Sequence, residues 1–434
     1  MYLDIEIDLS NKENLSNKLL SISNLHSSFC SLDSNNYTHD RYSKYKKLIA
    51  IGSIEEFCLN NDKGQNKFNL IEKFINKYSN SWKFVYLSYK LKNYFEKLSS
   101  SNIDKLNFND AYLFIPKFVF IETKNSVKLQ HHKLVSREEV IRFINSLHTE
   151  PSPHQPTKET ETTLKPRIDK EEYLNKISKI KEDIKLGDIY EMNFCQEFYN
   201  HTPDFDTITT YKTLNKYSPA PFSAYFKENS RYLISSSPER YLLKHRNTVI
   251  SQPIKGTARR STNKDIDNKI KEELRNNTKE RAENIMIVDL VRNDLSRIPQ
   301  CKKVEVTELC KIYSFPHVHQ MISSVKAELD SSTKFIDIIK NSFPMGSMTG
   351  APKIRAMELI EEYESHERGL FSGSVGYIAP NGDFDLNVII RSLLYNKDTK
   401  YLSLSAGGAI TYKSDAKSEY EESLLKAKAI LDLL

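Results

Sequence analysis

"RYLISSSPERYLLKHRNTVISQPIKGTARR", residues 231–260, contains a well-defined strand and an unusual turn. The run RYLISSS reads as a strand that stops at Ser-Pro. Glu239 follows at the end of this apolar run, where partial burial raises a carboxyl pKa and suits it to hand a proton to a leaving hydroxyl. Lys255 comes sixteen residues later, a spacing suited to two neighbouring strands joined by a short connection. Its setting is Pro-Ile-Lys-Gly-Thr: Gly256 lets a ligand or a second backbone approach closely, and Pro253 pre-sets the chain direction. A lysine attacks carbon only when neutral, and burial beside apolar walls would lower its pKa to that end. Taken singly, Lys255 fits a surface hairpin turn and Glu239 a surface ion pair. Together they could place an acid and a base in one cleft.

Outward from this stretch, strand-like runs such as GSVGYIA, LNVIIRSLLYN and YLSLSAGGAI alternate with helical ones, which predicts a mixed α/β or α+β architecture. In NNTKERAENIMIVDLVRNDL, Asn277 with Glu280 three residues on reads as a helix N-terminus, followed by Ile285, Val288 and Val291 at helical spacing. The last helix carries an apolar stripe of Leu424, Ala427, Leu431 and Leu434. Glu419 and Glu422, three apart, point to one side of its first turn. Residues 149–166, rich in Pro, Thr and Glu, predict a linker between an N-terminal region, 1–148, and a region 167–434 that holds every candidate for chemistry.

Composition narrows the class. A chain of 434 residues with 39% hydrophobic content is globular. The net charge of +6, from 63 basic against 57 acidic residues interspersed along the chain, describes a solvated surface and disfavours nucleic acid as a partner. Five cysteines without a C-x-x-C pair fit a reducing cytoplasm and argue against a disulfide framework or a structural zinc site. The opening MYLDIEIDLS is acidic and alternating, unlike a signal peptide, and no later run approaches a membrane span.

Beyond Glu239 and Lys255, four features could carry chemistry. Glu283, Glu419 and Glu422 could hold a hard cation, Mg²⁺ above all, or be ordinary solvated helix glutamates. Arg391 interrupts a strand of β-branched and apolar residues and must reach the surface or pair with an anion such as a carboxylate. SAGGAI, residues 405–410, presents main-chain N–H groups that can converge on an oxyanion or simply turn tightly. GSMTGAPK enters a helix at about Pro352 but is no P-loop, since the spacing of Gly346 and Gly350 is too short. His317 and His319 fall on one side of a predicted strand, either as core or surface histidines or as polar ligand contacts.

Seven motifs occur in a single order: GDIYEMNFCQEF, SSSPERYLL, PIKGT, KERAENIMIVDLVRNDL, FPMGSMTGAPKIRAMELIEE, GSVGYIAPNGDFDLNVIIRS and SAGGAITYKSDAKSEYEE. Over about residues 170–434 the chain resembles the chorismate-utilising enzymes, which form anthranilate, aminodeoxychorismate, isochorismate or salicylate. The resemblance implies an α+β fold like that of anthranilate synthase component I, a sandwich of packed β-sheets with helices on the outside. The lysine of PIKGT is similar to that of the aminodeoxychorismate-forming members. It implies that Lys255 attacks ring carbon C2 while Glu239 protonates the departing C4 hydroxyl, after which ammonia adds at C4 and expels the lysine.

The same resemblance implies Mg²⁺ on Glu283 and Glu422, with Glu419 near through water, and chorismate held by Arg391 and the amides near Gly408 and Ala409. Thr257 would lie against the ring carboxylate, and His319 would face the reacting side of the ring. Ammonia would come from a separate glutamine amidotransferase subunit. Some positions depart from the family pattern: Ala409 replaces a glycine, Met345 a small residue, and Phe371 a tyrosine near the substrate carboxylate. Glu191 stands where ammonia-using members often carry glutamine and water-using ones lysine, which argues against isochorismate and salicylate formation. Ser218 and Phe222 argue against tryptophan feedback. The alternatives are an anthranilate-forming member and a relative that binds chorismate without turnover.

Overall fold

In the strand Arg231–Ser237, successive side chains point to opposite faces, yet Leu233 and Ile234 are both fully buried. A strand closed on both faces belongs to a sheet sandwiched between two layers. The computed structural model describes residues 1–5, 12–38, 40–60, 68–148 and 162–434. Every strand pairing among them is antiparallel, so the expected mixed architecture is α+β.

One sheet runs from Glu191–His201 through Tyr401–Thr411, Ser392–Asn396, Arg231–Ser237, Phe222–Glu228 and Ser28–Asp33 to Lys47–Leu59. The second runs from Ala111–Glu122 through Lys83–Leu87, Ser374–Ile378, Phe384–Asn387, Arg240–His245 and Thr248–Gln252 to Val318–Leu329. The long strands Lys47–Leu59 and Ala111–Glu122 pair with each other and join the sheets. Their register shifts between Ser53 and Glu55, next to Gly52 at φ +62°, and such a bulge bends the pair from one layer to the other. Strands of the first third therefore lie between strands of the last two thirds.

The space between the layers is filled by Phe226, Leu233, Tyr86, Leu113, Tyr241 and Leu386, among others. Helices Lys12–Ser21, Arg137–His148, Thr207–Tyr217 and Ala416–Leu431 cover the outer face of the first sheet, with Leu19, Phe143, Tyr211 and Ala427 in its core. Helices Thr278–Ser296 and Phe335–Ser342 cover the second. Asn277 caps the first of these as expected, its side chain accepting from the N–H groups of Lys279 and Glu280 at 3.0 and 3.1 Å.

Several local expectations are corrected. Ile285 is exposed, because Asn284, Ile287, Val288 and Val291 take the inner face of their helix. The inner stripe of the last helix is Glu419, Ser423, Ala427 and Ile430, with Leu424, Leu431 and Leu434 only partly covered at its flanks. His317 lies exposed before the strand that begins at Val318, so it shares no strand face with His319. Of the predicted linker, residues 149–161 lie outside the described residues, while Lys165–Pro166 pairs with the strand Glu191–His201.

Candidate active site

The predicted strand LNVIIRSLLYN is broken in two. Phe384–Asn387 belongs to the second sheet and Ser392–Asn396 to the first, and Val388–Arg391 crosses between them, with Arg391 at φ +51°. Ser-Pro-Glu makes the same crossing between Arg231–Ser237 and Arg240–His245. The two crossings are laced together. Ser236 N–H donates to Arg391 O at 3.0 Å, Val388 N–H to Glu239 O at 3.0 Å, and the Ser237 hydroxyl to Val388 O at 2.6 Å. Glu239 and Arg391 thus sit on adjacent rungs at the seam of the sandwich. The Arg391 guanidinium makes no hydrogen bond or ion pair among the described residues; burial lowers its pKa, and the only charge that counters this is that of Glu422.

Lys255 lies in a bulge. Ile254 pairs with Ile322 and Thr257 with Gln320, so Lys255 and Gly256 together oppose Met321 alone. Gly256 has φ +93°, and a Cβ there would approach Glu280 Oε2 to 3.1 Å and Met321 Cβ to 3.3 Å. The Asn284 amide reaches the carbonyls of Lys255 and Met321 at 3.5 and 3.3 Å and ties the bulge to the helix Thr278–Ser296. The bulge aims Nζ at Glu191, whose Oε1 accepts from it at 2.9 Å. Only 11% of the Lys255 side chain and 1% of that of Glu191 is exposed. Glu191 opens its strand where Gly350–Ala351 pairs against it, and a Cβ on Gly350 would fall 2.1 Å from the Glu191 carbonyl oxygen.

The expectation of apolar walls around Lys255 is corrected. Burial pulls its pKa down, but Glu191, then Glu283 and Glu239, outweigh this and hold it above the usual lysine value. Glu239, also buried, is lifted to about 7 by loss of solvent, although Ser347, Lys255 and the Ile254 N–H pull the other way. It therefore keeps a proton near neutrality.

The acidic helix residues gather beside this pair. Glu283 is raised to about 7, chiefly by burial, and its Oε1 is buried without a hydrogen-bond partner. Glu419 is buried and Glu422 about half exposed at 49%. Burial raises Glu419; for Glu422 it is more than offset by Lys426, Lys279 and Lys255, which leave the carboxyl lowered. Lys279 Nζ lies 3.8 Å from Glu283 and 3.7 Å from Glu419, and Lys426 lies 2.7 Å from Glu422. Among the described residues no three His, Cys, Asp or Glu side chains close on one point. The donor chemistry nevertheless fits Mg²⁺: all donors are hard oxygens, one of them makes no hydrogen bond, and an ammonium already lies between two of the carboxylates. In the sequence Glu280 reads only as a cap partner; in the structure it is half-buried and faces Gly256.

The amides expected to hold a carboxylate are sorted by register. Asn193 and Cys195 direct their N–H groups away from Tyr401–Thr411, to Thr349 O at 2.8 Å and Glu364 Oε1 at 2.8 Å. Their cross-strand partners, Ala409 and Gly407, therefore present their own amides to the opposite edge, and the Gly408 amide belongs to the ladder. What Gly408 contributes is space: a Cβ there would lie 3.2 Å from Glu419 Oε2 and 3.7 Å from Glu422 Oε1.

Two expected residues make no hydrogen bond or ion pair with Lys255 or Glu191 among the described residues. His319 is buried with Nε2 3.1 Å from Asp267 Oδ1 and Nδ1 2.9 Å from Ser314 Oγ, tied to the helix Lys264–Asn276. Thr257 is exposed beyond the bulge, opposite Gln320, whose amide oxygen is buried without a partner. A surface concavity lined by Tyr37, Phe222, Arg240, Ile254 and Ile322 reaches the Lys255 strand from its other face.

A sequence profile for chorismate binding enzymes matches residues 28–432. The chain is 39% identical over 264 residues to the probable chloroplastic aminodeoxychorismate synthase of Oryza sativa subsp. japonica, covering 60% of this chain and 29% of that relative. It is 38% identical over 265 residues to aminodeoxychorismate synthase component 1 of Escherichia coli strain K12, covering 61% and 58%. The chain thus spans less than two thirds of either relative. In fold it is similar to anthranilate synthase component I from Streptococcus pneumoniae TIGR4, with a TM-score of 0.78 at 23% identity over 91% of this chain and 93% of the other. No described helix is long and apolar enough to cross a membrane. With a profile match over nearly its whole length and this sandwich, the chain belongs to the chorismate binding enzyme family.

Proposed function

We propose that this chain converts chorismate and ammonia to 4-amino-4-deoxychorismate and water, working in the cytoplasm as the synthase component beside a separate glutamine amidotransferase that supplies the ammonia. The supporting observation is the buried lysine of PIKGT, hydrogen-bonded to a carboxylate and accompanied by a carboxyl that holds a proton near pH 7. Lys255, once neutral, attacks C2, and Glu239 protonates the C4 hydroxyl so that it departs as water. Ammonia then takes C4 and Lys255 leaves C2. Two displacements put the amino group where the hydroxyl was and leave the ring unaromatised.

Arg391 and the free amide of Ala409 would grip the enolpyruvyl carboxylate. Glu283 and Glu422, with Glu419 behind them, would hold Mg²⁺, which when bound neutralises the ring carboxylate. Thr257 and His319 remain proposed neighbours of the substrate, His319 acting from its Asp267-bound ring.

The test is to incubate the protein with chorismate, Mg²⁺ and an ammonium salt and identify the product by mass spectrometry. A product that becomes para-aminobenzoate only after a lyase is added supports the reading. Fluorescent anthranilate formed without a lyase replaces it with the anthranilate-forming alternative, and chorismate bound without turnover points to a non-catalytic relative.

A further inference from the structure

The covalent reading asks for a neutral amine, yet the cleft holds Lys255 as an ammonium. Its proton must pass to a group within reach. Glu191 Oε1, at 2.9 Å, is the only carboxylate hydrogen-bonded to Nζ among the described residues, and the other oxygen of the same carboxylate is buried with no partner. No cation other than Lys255 is paired with Glu191 among them, so nothing else holds its charge in place.

We propose that Glu191 is the proton acceptor for the nucleophile: it keeps Lys255 charged at rest and takes one proton from Nζ as the amine attacks. This rests on the covalent role given to Lys255 above. An N–H bond of the ammonium breaks and an O–H bond forms on Glu191, leaving a neutral amine beside a carboxylic acid. The nitrogen lone pair goes to C2, the ring π electrons shift, and the C4–O pair leaves with the hydroxyl, which Glu239 protonates to water. When ammonia adds at C4, the C2–N pair returns to Lys255 as a neutral amine. The new C4 ammonium gives a proton to Glu239, Glu191 returns its own to Lys255, and every group is restored. Transfer inside the pair removes two buried charges together, whereas loss of the lysine proton to solvent would strand a buried carboxylate.

The other groups facing Lys255 are Glu239 at the sheet crossing, Glu280 and Glu283 on the helix Thr278–Ser296, Glu422 on the last helix, and Cys195 on the strand of Glu191. All of these remain when Glu191 alone is changed. The experiment is competitive labelling of Lys255 by acetic anhydride across pH, read by peptide mass spectrometry, in the full-length chain and its Glu191→Gln and Glu191→Asp variants. Glu191→Gln should lower the half-labelling pH by about one unit or more, so that labelling at a fixed pH below both midpoints is about tenfold faster. Glu191→Asp keeps the charge and should stay nearer the parent.

Because the amine in Glu191→Gln has no internal acceptor and must first lose its proton to solvent, kcat/KM for chorismate, measured at fixed free ammonia, should fall more steeply toward acid pH in that variant than in the parent. A half-labelling pH unmoved in Glu191→Gln overturns the proposal. Failure of the underlying covalent reading appears separately, as full turnover by Lys255→Ala.

Discussion

Two regions of this molecule bury charge, and they do it differently. Arg240 lies at the Pro238 crossing with its side chain wholly enclosed, bonded to Asp385 at 2.8 and 2.9 Å, to Asp40 at 2.6 and 3.1 Å and to Gln252 at 2.5 Å. Arg368 is held likewise by both oxygens of Glu364, the carbonyls of Met348 and Asn193 and the Ser372 hydroxyl. None of these side chains keeps an orphan polar atom. Around Lys255, by contrast, Glu191 Oε2 and Glu283 Oε1 are buried without hydrogen-bond partners, and two carboxyls are pushed to about 7. A saturated buried ion pair fixes chain segments to one another. An unsaturated one keeps donors and acceptors in reserve for a ligand, and its protons move easily.

The contrast can be broken by substitution. Lys255→Ala should cut amination on the order of 10³-fold or more and, because it strands the single buried carboxylate of Glu191, lower the denaturant midpoint by less than the loss of Arg240, which strands two; a larger loss of stability with activity retained would reverse the roles of the two regions. Arg240→Met leaves Asp40 and Asp385 facing each other without a cation and should cost about 3–5 kcal/mol in urea unfolding, with the surviving folded fraction still active.

Glu239→Gln should lower kcat about 100-fold. In the parent, kcat/KM should fall as pH rises through about 7, as Glu239 loses the proton it must give to the leaving hydroxyl. In Glu239→Gln that fall should vanish from this range, because the group that ionises there is gone. Glu422→Gln should raise the Mg²⁺ concentration for half-maximal rate by about tenfold and weaken chorismate binding with it; an unchanged metal requirement would remove Glu422 from the ligand set. The smallest effect belongs to a cap that has no part in either region. Asn277→Ala should cost about 1 kcal/mol at unchanged kcat.

Local grammar made part of this legible in the sequence. The Asn277 cap and the strand RYLISSS each depend on neighbours a few residues away, and each stands in the structure where the pattern placed it, whereas the turn read at PIKGT is a bulge within the strand Ile254–Arg259. The break in LNVIIRSLLYN was not legible, since an unbroken apolar run reads the same whether it stays in one sheet or passes to another. Ile285 and the stripe of the last helix were misjudged for a related reason. Periodicity gives the width of an apolar face but not its angle, and here buried Asn284 and Glu419 hold inward positions that apolar counting assigns elsewhere. The Glu191 contact spans 64 residues of sequence, and nothing in YEMNF announces that its carboxylate will be the one to meet Lys255. The fourth carboxylate, Glu280, was hidden behind a second role, as the cap's partner.

The lacing of the two crossings has a mechanical corollary. Because Ser236, Ser237 and Val388 bind the Glu239 and Arg391 segments to each other, the proposed proton donor and the proposed anchoring cation travel as one piece. Lys255 rides on a separate edge strand, fastened to its own helix through Asn284. Any slippage of one layer over the other would alter the reach from nucleophile to acid while leaving the reach from acid to anchor untouched. In such a hinge-like frame, wear would show first as substrate still gripped but struck off-centre.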